Sequence, residues 1–565
     1  MKQTKLHVGN IPKHTYIHTQ GRLTSRAAVW TVRELPRWLR SRDGGWWALC
    51  FFPFELQGSV EAGLSGLVRQ LLRLTFFDPA YCNLTTGIWL PNKHGGRTQY
   101  TGRFSCVVQD EEAHKNLWSV KGASGFKACI CCRNVVRTPR YRLEGSVYVK
   151  HLQDALPSDF ALHTPDTFAH MVDELKRAKP LLAPGQFAQK EINYGVNYEP
   201  QSILYDPLLS QWLNPVKHTY WDWMHNLVAS GGACQVEVNA YCVKLEAEPY
   251  CIDLESLDIF QQSIKWPNGN LSATFFQDRI RRGGWCLKAW AGETIFAVHA
   301  LVKFAELVLV PSGVLLEETR CLRLISKVLD MLSTPAYAVN NVRDLEATLT
   351  EHHRLIKQLY GADYVKPKLH YSHHIPGNIE NVGDVLSCFS AERKHKFAKS
   401  VGQHSSGEHW EYNVMKRQVL DVLSRFDGEL KSEWLAGRVV HDNASACLIQ
   451  QVHGITHIGS AQSSTKMVTE IGELRQNMYI LVSTPGGHRL GKICNFVGGR
   501  PMLSKEELHC VVWVPLLPSP GGLWAPSALE KCCSATREVV RAIAVARYHD
   551  GVKPILPQLP GLNLI

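Results

Sequence analysis

Two cysteines and two histidines carry the clearest chemical signal in this sequence, although the pairs lie far apart along the chain. Cys129 and Cys132 form a C-x-x-C pair after a glycine-bearing segment, and His370 and His374 are four residues apart. Thiolate and imidazole are the ligands that tetrahedral Zn2+ prefers, and a C-x-x-C turn supplies half of such a site. Histidines spaced i, i+4 share one face of a helix. The pattern predicts a Cys2His2 zinc site.

Two alternatives to this zinc site stay open at the level of the residues. His373 is three residues after His370, a spacing that also fits one helix face, so it competes with His374 as the fourth ligand. Alternatively the C-x-x-C pair holds two buried thiols and the histidines lie on the surface.

Three acidic positions are the candidates for other chemistry. Asp110 follows the apolar run Phe104 to Val108, which has the length and β-branched content of a strand. Glu392 stands in a run of cations, and Asp222 lies three residues before His225 on a predicted helix. A carboxylate at the end of a buried strand is rigidly placed for a metal ion. The alternatives are a solvated, salt-bridged helix face around Glu392 and a helix cap at Asp222.

The elements that must position these residues change in type along the chain. The run Trp46 to Phe54 predicts a strand, and the spacing of apolar residues from Val60 to Phe77 predicts a helix. Strands, a helix and then a strand ending in an acid form an α/β order. Residues 220–360 favour helices throughout, and β-like runs with Gly and Pro turns return beyond about residue 450.

Further helices are predicted around the histidine pair and elsewhere. Pro367 and Gly377 are suited to begin and end the helix that carries His370 and His374. Residues 402–440 are predicted to continue as helix. The other predicted helices are Thr167 to Ala178, Trp221 to Ala229, Ser256 to Ile264, Glu293 to Val310, Glu317 to Leu332 and Val342 to Tyr360.

Composition narrows the class of protein. The formal net charge of +11 permits a polyanionic partner without requiring one. The 17 cysteines are scattered, mostly in apolar contexts, which indicates a reduced, intracellular protein without a secretory signal. The apolar stretch Ile295 to Leu316 is interrupted by charges and a proline, so we expect a core helix and no membrane partner. Nucleotide-binding glycine motifs and the G-x-S-x-G elbow are absent from the sequence.

The order of these motifs resembles the cut-and-paste DDE transposases of eukaryotes. The matching parts are the strand before Asp110, then KGASGFKACICC, DWMH, LHYSHHIPG and AERKH. The likeness is to the CACTA group and the related Kyakuja-Dileera-Zisupton group, and it covers about residues 15–440. The catalytic chain of the antigen-receptor recombinase is similar in placing a C-x-x-C after its second acid and a His pair before its Glu.

The resemblance implies a ribonuclease H-like core with three catalytic acids, of which Asp110 would be the second and Glu392 the third. It implies structural Zn2+ on Cys129, Cys132, His370 and His374, and it makes Asp222 and His225 the signature pair of a helical insertion. The implied reaction is two-metal phosphoryl transfer, with carboxylates holding two Mg2+ or Mn2+ ions about 3.5–4 Å apart. The cations that follow the third acid would contact the DNA backbone; they are Arg393, Lys394 and Lys396.

The first acid of the family pattern, an Asp followed by Gly, has no match at its expected place. Gln20 precedes Gly21 there, while Asp43 keeps the Asp-Gly pair but lies well toward the next strand. The usual N-terminal DNA-binding module is also missing, so the chain resembles a truncated or decaying copy. Because a neutral amide binds a hard cation far more weakly than a carboxylate, we expect little or no nuclease activity.

We therefore expect an α/β protein with five regions. They are the first part of a ribonuclease H-like core (1–135), a mixed connecting region (136–219), a helical insertion (220–365), the His pair with the last core helix (366–440) and a β-rich C-terminal domain (450–565). The expected function is that of a nuclear, transposase-derived DNA-binding protein that forms a homo-oligomer if active. The alternatives are a catalytically dead, zinc-stabilised DNA- or protein-binding module and an unrelated metal-dependent hydrolase.

Overall fold

The structure, a computed structural model, describes residues 25–555 apart from short gaps. The gaps are 43–44, 54–57, 79–81, 84, 92–94, 138–148, 267–268, 404–409, 430–432, 443–444, 456, 471, 486, 502–506, 520–522, 528–530 and 549–550. The described chain is mixed α/β, with a β-rich C-terminal part. This confirms the coarse fold class expected from the hydrophobic patterns.

The N-terminal part alternates short strands with helices. Its elements are β1 (Ser25–Trp30), α1 (Arg37–Arg40), β2 (Trp47–Pro53), α2 (Gly63–Phe76), β3 (Phe77–Asp78), β4 (Cys82–Asn83), β5 (Ile88–Pro91), β6 (Arg97–Tyr100), β7 (Val107–Gln109) and α3 (Glu111–Leu117). β1 and β2 pair antiparallel, and β5 and β6 form a hairpin. β2 and α2 lie where the apolar runs predict a strand and a helix.

A small parallel sheet places two candidate acids at one edge. The elements that lead to it are β8 (Val135–Val136), β9 (Lys150–His151), α4 (Pro165–Ala178), α5 (Pro184–Tyr194), α6 (Pro215–His218) and β10 (Thr219–Trp221). β10 pairs with β7 in parallel, residue for residue over the whole of both strands. Asp110 and Asp222 directly follow these strands, and so they leave the sheet at the same edge.

The prediction of a helix over Trp221 to Ala229 is wrong at its beginning. Trp221 is buried and ends β10, and the helical turns that follow are a π-helix, Met224–Val228. The aromatic residues before Asp222 pack into the core as a strand, which is what their β propensity favours once a partner strand is present.

A block of helices follows, as the change of hydrophobic period predicts. It consists of α7 (Ala233–Glu246), α8 (Leu254–Gln262), α9 (Phe275–Arg279), α10 (Ala291–Phe304), α11 (Leu316–Ser333), α12 (Pro335–Asn340) and α13 (Val342–Tyr360). The two-residue strand β11 (Ile264–Lys265) interrupts the block and pairs with a strand of the C-terminal sheet.

One helical stretch, Ala291–Ser312, is long and apolar enough to cross a membrane by length and composition alone, and half of its most apolar window is buried within the protein. Its side chains at Val298, Leu301 and Phe304 belong to the main hydrophobic core. Core helices meet the same criteria of length and composition, so this stretch is weak support for a membrane span.

The histidine segment forms two helices, and the single helix predicted from Pro367 to Gly377 is wrong. α14 (Pro367–Ser372) ends before His373, and α15 (Ile375–Val382) begins after His374. Pro376 explains the break, because proline lacks the N–H that a continuous helix would need and fits only a first helical turn. α16 (Phe389–Gln403) and α17 (Trp410–Glu429) follow.

The C-terminal sheet begins earlier than the sequence predicts. Its strands are β12 (Trp434–His441), β13 (Ile458–Thr469), β14 (Gly472–Arg475), β15 (Tyr479–Thr484), β16 (Gly487–Pro501), β17 (Leu508–Ser519), β18 (Leu523–Pro526), β19 (Cys532–Ala535), β20 (Val539–Tyr548) and β21 (Gly551–Ile555), with α18 (Ala446–His453) beside them. The helix predicted over 402–440 is therefore wrong beyond α17. Pairing of β16 with β17 closes six of these strands into a ring.

The main hydrophobic core is shared by the N-terminal part, the C-x-x-C segment and the helical block. Its buried members run from Leu72 to Cys388, and Cys129 and Cys132 are among them. The C-terminal sheet has hydrophobic clusters of its own. The cysteine and histidine pairs therefore meet inside the larger of these cores.

The segment between α15 and α16 is tied to the N-terminal part by a buried carboxylate. Oδ1 of Asp384 lies 2.8 Å from the guanidinium of Arg37, and Oδ2 lies 2.5 Å from that of Arg40. The contact with Arg40 is an ion pair whose angles do not fit a hydrogen bond. We expect Asp384→Ala to lower the free energy of unfolding by roughly 2–3 kcal/mol, because it leaves the largely buried guanidinium of Arg40 without its acidic partner. Thermal unfolding measures this loss, and Asp363→Ala, at an exposed carboxylate, is the control. Equal melting temperatures for the two variants would contradict the prediction.

Candidate metal centre

The predicted cysteine and histidine pairs meet in the core. All four residues are buried, and their ligand atoms lie within 4.8 Å of one another. Nε2 of His374 is 3.2 Å from Sγ of Cys129 and 3.5 Å from Sγ of Cys132. Nε2 of His370 is 3.6 Å from Sγ of Cys132 and 3.4 Å from Nε2 of His374. These donors could hold a metal ion.

The spacing of the donors matches the size of a tetrahedral zinc site. With Zn–S of about 2.3 Å and Zn–N of about 2.0–2.1 Å, a regular tetrahedron separates sulfur from nitrogen by about 3.6 Å and the two nitrogens by about 3.3 Å. The separations in the protein, 3.2–3.6 Å between sulfur and nitrogen and 3.4 Å between the nitrogens, agree with those values. The donor set therefore fits Zn2+ in both chemistry and size.

The break between α14 and α15 decides between the two rival histidines. His373 turns away from the cysteines, and its Nε2 lies 2.6 Å from Nδ1 of His353 on α13. His374 occupies the position just before α15 and points its ring at the C-x-x-C. The preference for His374 agrees with the geometry, although the single helix invoked for it does not exist.

Burial and a neighbouring sulfur shift the pKa values of Cys129, His370 and His374. Burial raises the pKa of the Cys129 thiol and lowers the pKa of His370 well below its usual value. Burial also opposes a charge on His374, but the Cys129 sulfur beside it outweighs burial and raises the pKa to about 9. A group of thiols and imidazoles that is this poorly solvated gains most from a cation that displaces its protons.

Aromatic rings hold the histidine segment against the C-x-x-C. The hydroxyl of Tyr371 donates to the carbonyl oxygen of Ala128 at 2.8 Å, and its ring stacks on Trp221 at 4.2 Å between centroids. Phe160 packs against His370 at 4.7 Å between centroids. The donors are thus fixed by packing on three sides, which a metal site requires for a defined geometry.

Asp110 stands at the end of β7, as predicted, and also begins α3. Its Oδ1 accepts a hydrogen bond from the backbone N–H of Ala113 at 2.6 Å, which makes it the N-cap of that helix. Its Oδ2 has no hydrogen-bond partner among the residues that the structure describes. One oxygen of the carboxylate therefore stays available for a cation.

Asp222 is buried at the end of β10, and both of its carboxylate oxygens have hydrogen-bond partners. Its Oδ1 accepts backbone hydrogen bonds from Met224 at 3.2 Å and Cys388 at 3.0 Å. Its Oδ2 lies 2.5 Å from Nδ1 of His225. Burial favours the neutral imidazole, but the bond to Asp222 and its charge outweigh burial and raise the pKa of His225. The helix-cap alternative is thus partly right, and Asp222 in addition holds His225.

Glu392, on α16, is linked to Asp222 through the backbone of Cys388. It is exposed on the first turn of that helix, one turn after Cys388, whose carbonyl oxygen accepts its N–H. The charges of Asp110 and Glu392 both act on His225. Burial, together with the charges of Asp222, Glu392 and Asp110, raises the pKa of the Cys388 thiol well above its usual value. The charges of the two acids therefore act on the same two side chains, His225 and Cys388.

The cations after Glu392 do not form a uniform surface. The guanidinium of Arg393 donates to the carbonyl oxygen of Ser41 at 2.6 Å and to the hydroxyl of Ser390 at 3.0 Å, so it fastens α16 to the N-terminal part. Lys396 is exposed. Lys394 lies on α16, but its side chain is outside the described residues, as are Gln20 and Asp43.

Sequence reasoning missed two contributors to this region. Glu111 accepts a hydrogen bond from the backbone N–H of Ala123 at 2.6 Å and so anchors the glycine-bearing loop that leads to the C-x-x-C. Gly122 adopts φ +65° there, and a Cβ would lie 2.6 Å from the Glu111 carboxylate. The other residue that sequence reasoning missed is Cys388. It lies four residues before Glu392, a spacing that places two residues on one helix face and could have indicated it.

A second buried group, Glu237, Cys321 and His352, could also hold a metal ion by its donor types. Oε2 of Glu237 lies 2.7 Å from Nε2 of His352, which is a hydrogen-bond distance shorter than the roughly 3.3 Å between ligands on one tetrahedral ion. This group fits a buried hydrogen bond of the helical block better than a metal site.

The comparisons with known proteins add no assignment. No model of a known protein family matches the chain, and no curated protein matches it.

Proposed function

We propose that the chain is a transposase-derived, nuclear DNA-binding protein with a ribonuclease H-like core, whose ancestral reaction is metal-dependent cleavage and transfer of DNA strands. The observation that carries the proposal is the placement of Asp110 and Glu392, which lie far apart along the chain. Asp110 follows β7 beside Asp222 at the end of β10, and Asp222 accepts the N–H of Cys388, one turn before Glu392. In the proposal the helical block is an insertion, because it separates β10 from α16.

The donor atoms of the two groups suit different metal ions with different roles. The Cys129, Cys132, His370 and His374 site is closed and buried, which is typical of structural Zn2+. The carboxylates Asp110 and Glu392 offer hard oxygen donors, and Glu392 is exposed. Oxygen donors suit Mg2+ or Mn2+, which would supply charge stabilisation for phosphoryl transfer when bound.

A second candidate function is a zinc-stabilised DNA- or protein-binding module without catalysis. The hydrogen bond from Ala113 to Asp110 favours it, because it shows that this carboxylate has a structural role of its own. The full engagement of Asp222 favours it as well. Both candidates share the zinc site, so only the second cation site separates them.

Binding of Mn2+ to the zinc-loaded protein separates the two candidates. We expect a Mn2+ site that Asp110→Asn and Glu392→Gln each weaken by roughly tenfold or more, because an amide is a far poorer ligand for a hard cation than a carboxylate. Electron paramagnetic resonance of free Mn2+ measures the affinity. Glu112→Gln, at an exposed acid two residues beyond Asp110, should leave it unchanged. Equal affinities for all variants would favour the non-catalytic module.

A further inference from the structure

The hairpin of β5 and β6 stands apart from the other sheets that the structure describes. Within the described residues these two strands pair only with each other. Every residue of the two strands except Ile88 is exposed. We call the two strands, together with Arg103 beyond them, the hairpin arm.

Large apolar side chains lie on both faces of the hairpin arm. Trp89 is 59% exposed on one face, and Leu90 and Tyr100 are 45% and 49% exposed on the other. Because successive side chains of a strand point to opposite faces, neither face of the hairpin is covered by the described part of the protein. A two-stranded hairpin is only marginally stable alone in water, and exposed apolar surface of this kind marks an interaction site.

The base of the hairpin arm has a fixed direction. Oδ1 of Asn83 accepts a hydrogen bond from the N–H of Thr86 at 3.3 Å in the turn before β5. The side-chain amide of Gln99 donates to the carbonyl oxygen of Thr86 at 2.9 Å and so ties β6 to this turn. After the arm, the ring of Phe104 packs edge-on against His218 of α6, with 5.6 Å between the centroids. A hairpin held at both ends of its base can bind a partner at little cost in entropy.

The charge of the hairpin arm has one sign. The sequence contains no Asp or Glu between Asp78 and Asp110. The described cations of that stretch are Arg97 and Arg103, which are exposed and make no ion pair with any residue that the structure describes. A surface that carries cations and lacks carboxylates complements a polyanion. Two arms that paired with each other would bring their cations together, which disfavours a second copy of the chain as the partner.

The shape of the hairpin arm fits a groove of duplex DNA. Paired strands lie about 4.8 Å apart. The major groove of B-DNA is about 12 Å wide and admits a two-stranded β-ribbon with its side chains. Apolar side chains inside the groove can contact the methyl groups of thymine, and cations at its edges contact phosphates.

We propose that the hairpin arm binds in the major groove of duplex DNA, with its apolar side chains against the base edges and Arg97 and Arg103 on the phosphates. The inference rests on the proposed function and deepens it, because it identifies the double helix as the partner and the hairpin as the part of the chain that holds it. An unpaired strand has no groove, so the arm discriminates between duplex and single strand.

Fluorescence anisotropy with a blunt DNA duplex and with one of its strands alone tests the proposal. We expect Arg97→Glu and Arg103→Glu each to weaken duplex binding by roughly fivefold or more and to reduce its salt dependence by about one phosphate contact. Leu90→Ser should weaken duplex binding by roughly threefold or more, because it removes apolar contact with the base edges. Single-strand binding should change less in all three variants. A duplex whose cytosines carry glucosylated hydroxymethyl groups, which fill the major groove, should bind the wild type more weakly than the unmodified duplex does.

The control variants change residues of the same types on another part of the protein. Arg177→Glu alters an exposed arginine of α4, and Leu181→Ser alters a leucine that is 80% exposed. Neither should change the affinity for the duplex. Melting temperatures of the arm variants equal to that of the wild type would show that their losses do not come from unfolding.

The outcomes distinguish this inference from the proposed function. If the wild type binds the duplex and the arm variants bind it as tightly, the inference is overturned while the proposed function stands. Equal binding of the glucosylated and unmodified duplexes would overturn the placement in the major groove. If the arm variants change the oligomeric state in sedimentation and leave DNA binding unchanged, the arm binds a second copy of the chain and the inference is wrong. If the wild type binds neither duplex nor single strand, the proposed function and this inference both fail.

Discussion

The Cys132→Ser variant should purify without zinc and unfold at a temperature roughly 10 °C or more below that of the wild type. Structural Zn2+ contributes about 10–16 kcal/mol of binding free energy in small zinc domains, and even a fraction of that is large beside the stability of a typical domain. Sγ of Cys132 lies 3.6 Å from Nε2 of His370 and 3.5 Å from Nε2 of His374. Its replacement therefore removes a sulfur donor that contacts both histidines. Elemental analysis and thermal unfolding measure the two effects.

The control for the zinc prediction lies between the two ligand cysteines. Cys131 is buried like its neighbours but is not among the four donors that converge. Cys131→Ser should therefore keep about one zinc per chain and lose far less stability. Zinc retained by Cys132→Ser, or none in the wild type, would show that the four residues form an ordinary buried cluster.

The four converging donor residues could be predicted from the sequence because the members of each pair lie within a few residues of each other. A C-x-x-C turn and histidines four residues apart each fix half of a tetrahedron locally, so only the meeting of the halves had to be assumed. The helix expected to carry the histidines was nevertheless wrong. Gly377 is suited to end that helix, whereas Pro376 lies in the first turn of a new one, α15. The spacing nevertheless identified two histidines that converge with the cysteines, because a tight turn also brings His370 and His374 together.

Other features were beyond the reach of local pattern. The last residue of the strand β10, Trp221, was assigned to a helix because its partner strand, β7, is more than a hundred residues earlier in the sequence. β12 was missed for the same reason, since its pairing with β13 depends on residues beyond the expected boundary. The contact between Lys366 and the ring of Trp285 joins the start of α14 to a loop before α10, and no periodicity within either segment indicates it. Long-range pairing decides such cases over propensity.

Under the proposed function, the described carboxylates leave the site for Mg2+ or Mn2+ one ligand short. Asp110 keeps one oxygen without a hydrogen-bond partner among the described residues, and Glu392 is exposed. Asp222 has both of its oxygens occupied by hydrogen bonds and supports His225 instead of a cation. Under the proposed function a third acid must therefore come from elsewhere, and the candidates are the position of Gln20 and Asp43.

We accordingly expect the wild type to cleave DNA poorly and Gln20→Asp to cleave it better, by about two orders of magnitude, because transition-state stabilisation by bound metal ions is worth several kcal/mol. The assay uses nicked and intact DNA with Mg2+ or Mn2+. Glu392→Ala in the Gln20→Asp background should abolish the gain, whereas Glu112→Ala in the same background should preserve it.

The remaining outcomes of the cleavage assay assign the first acid. Wild-type cleavage that depends on both Asp110 and Asp43 would make Asp43 the first acid and leave Gln20→Asp without effect. Strong wild-type cleavage that survives Asp110→Ala would place the chemistry elsewhere and end the transposase interpretation. If neither the wild type nor Gln20→Asp cleaves, yet both bind DNA in a salt-sensitive way, the zinc-stabilised binding module becomes the better account, since cations near the acids bind phosphate whether or not a cage is complete.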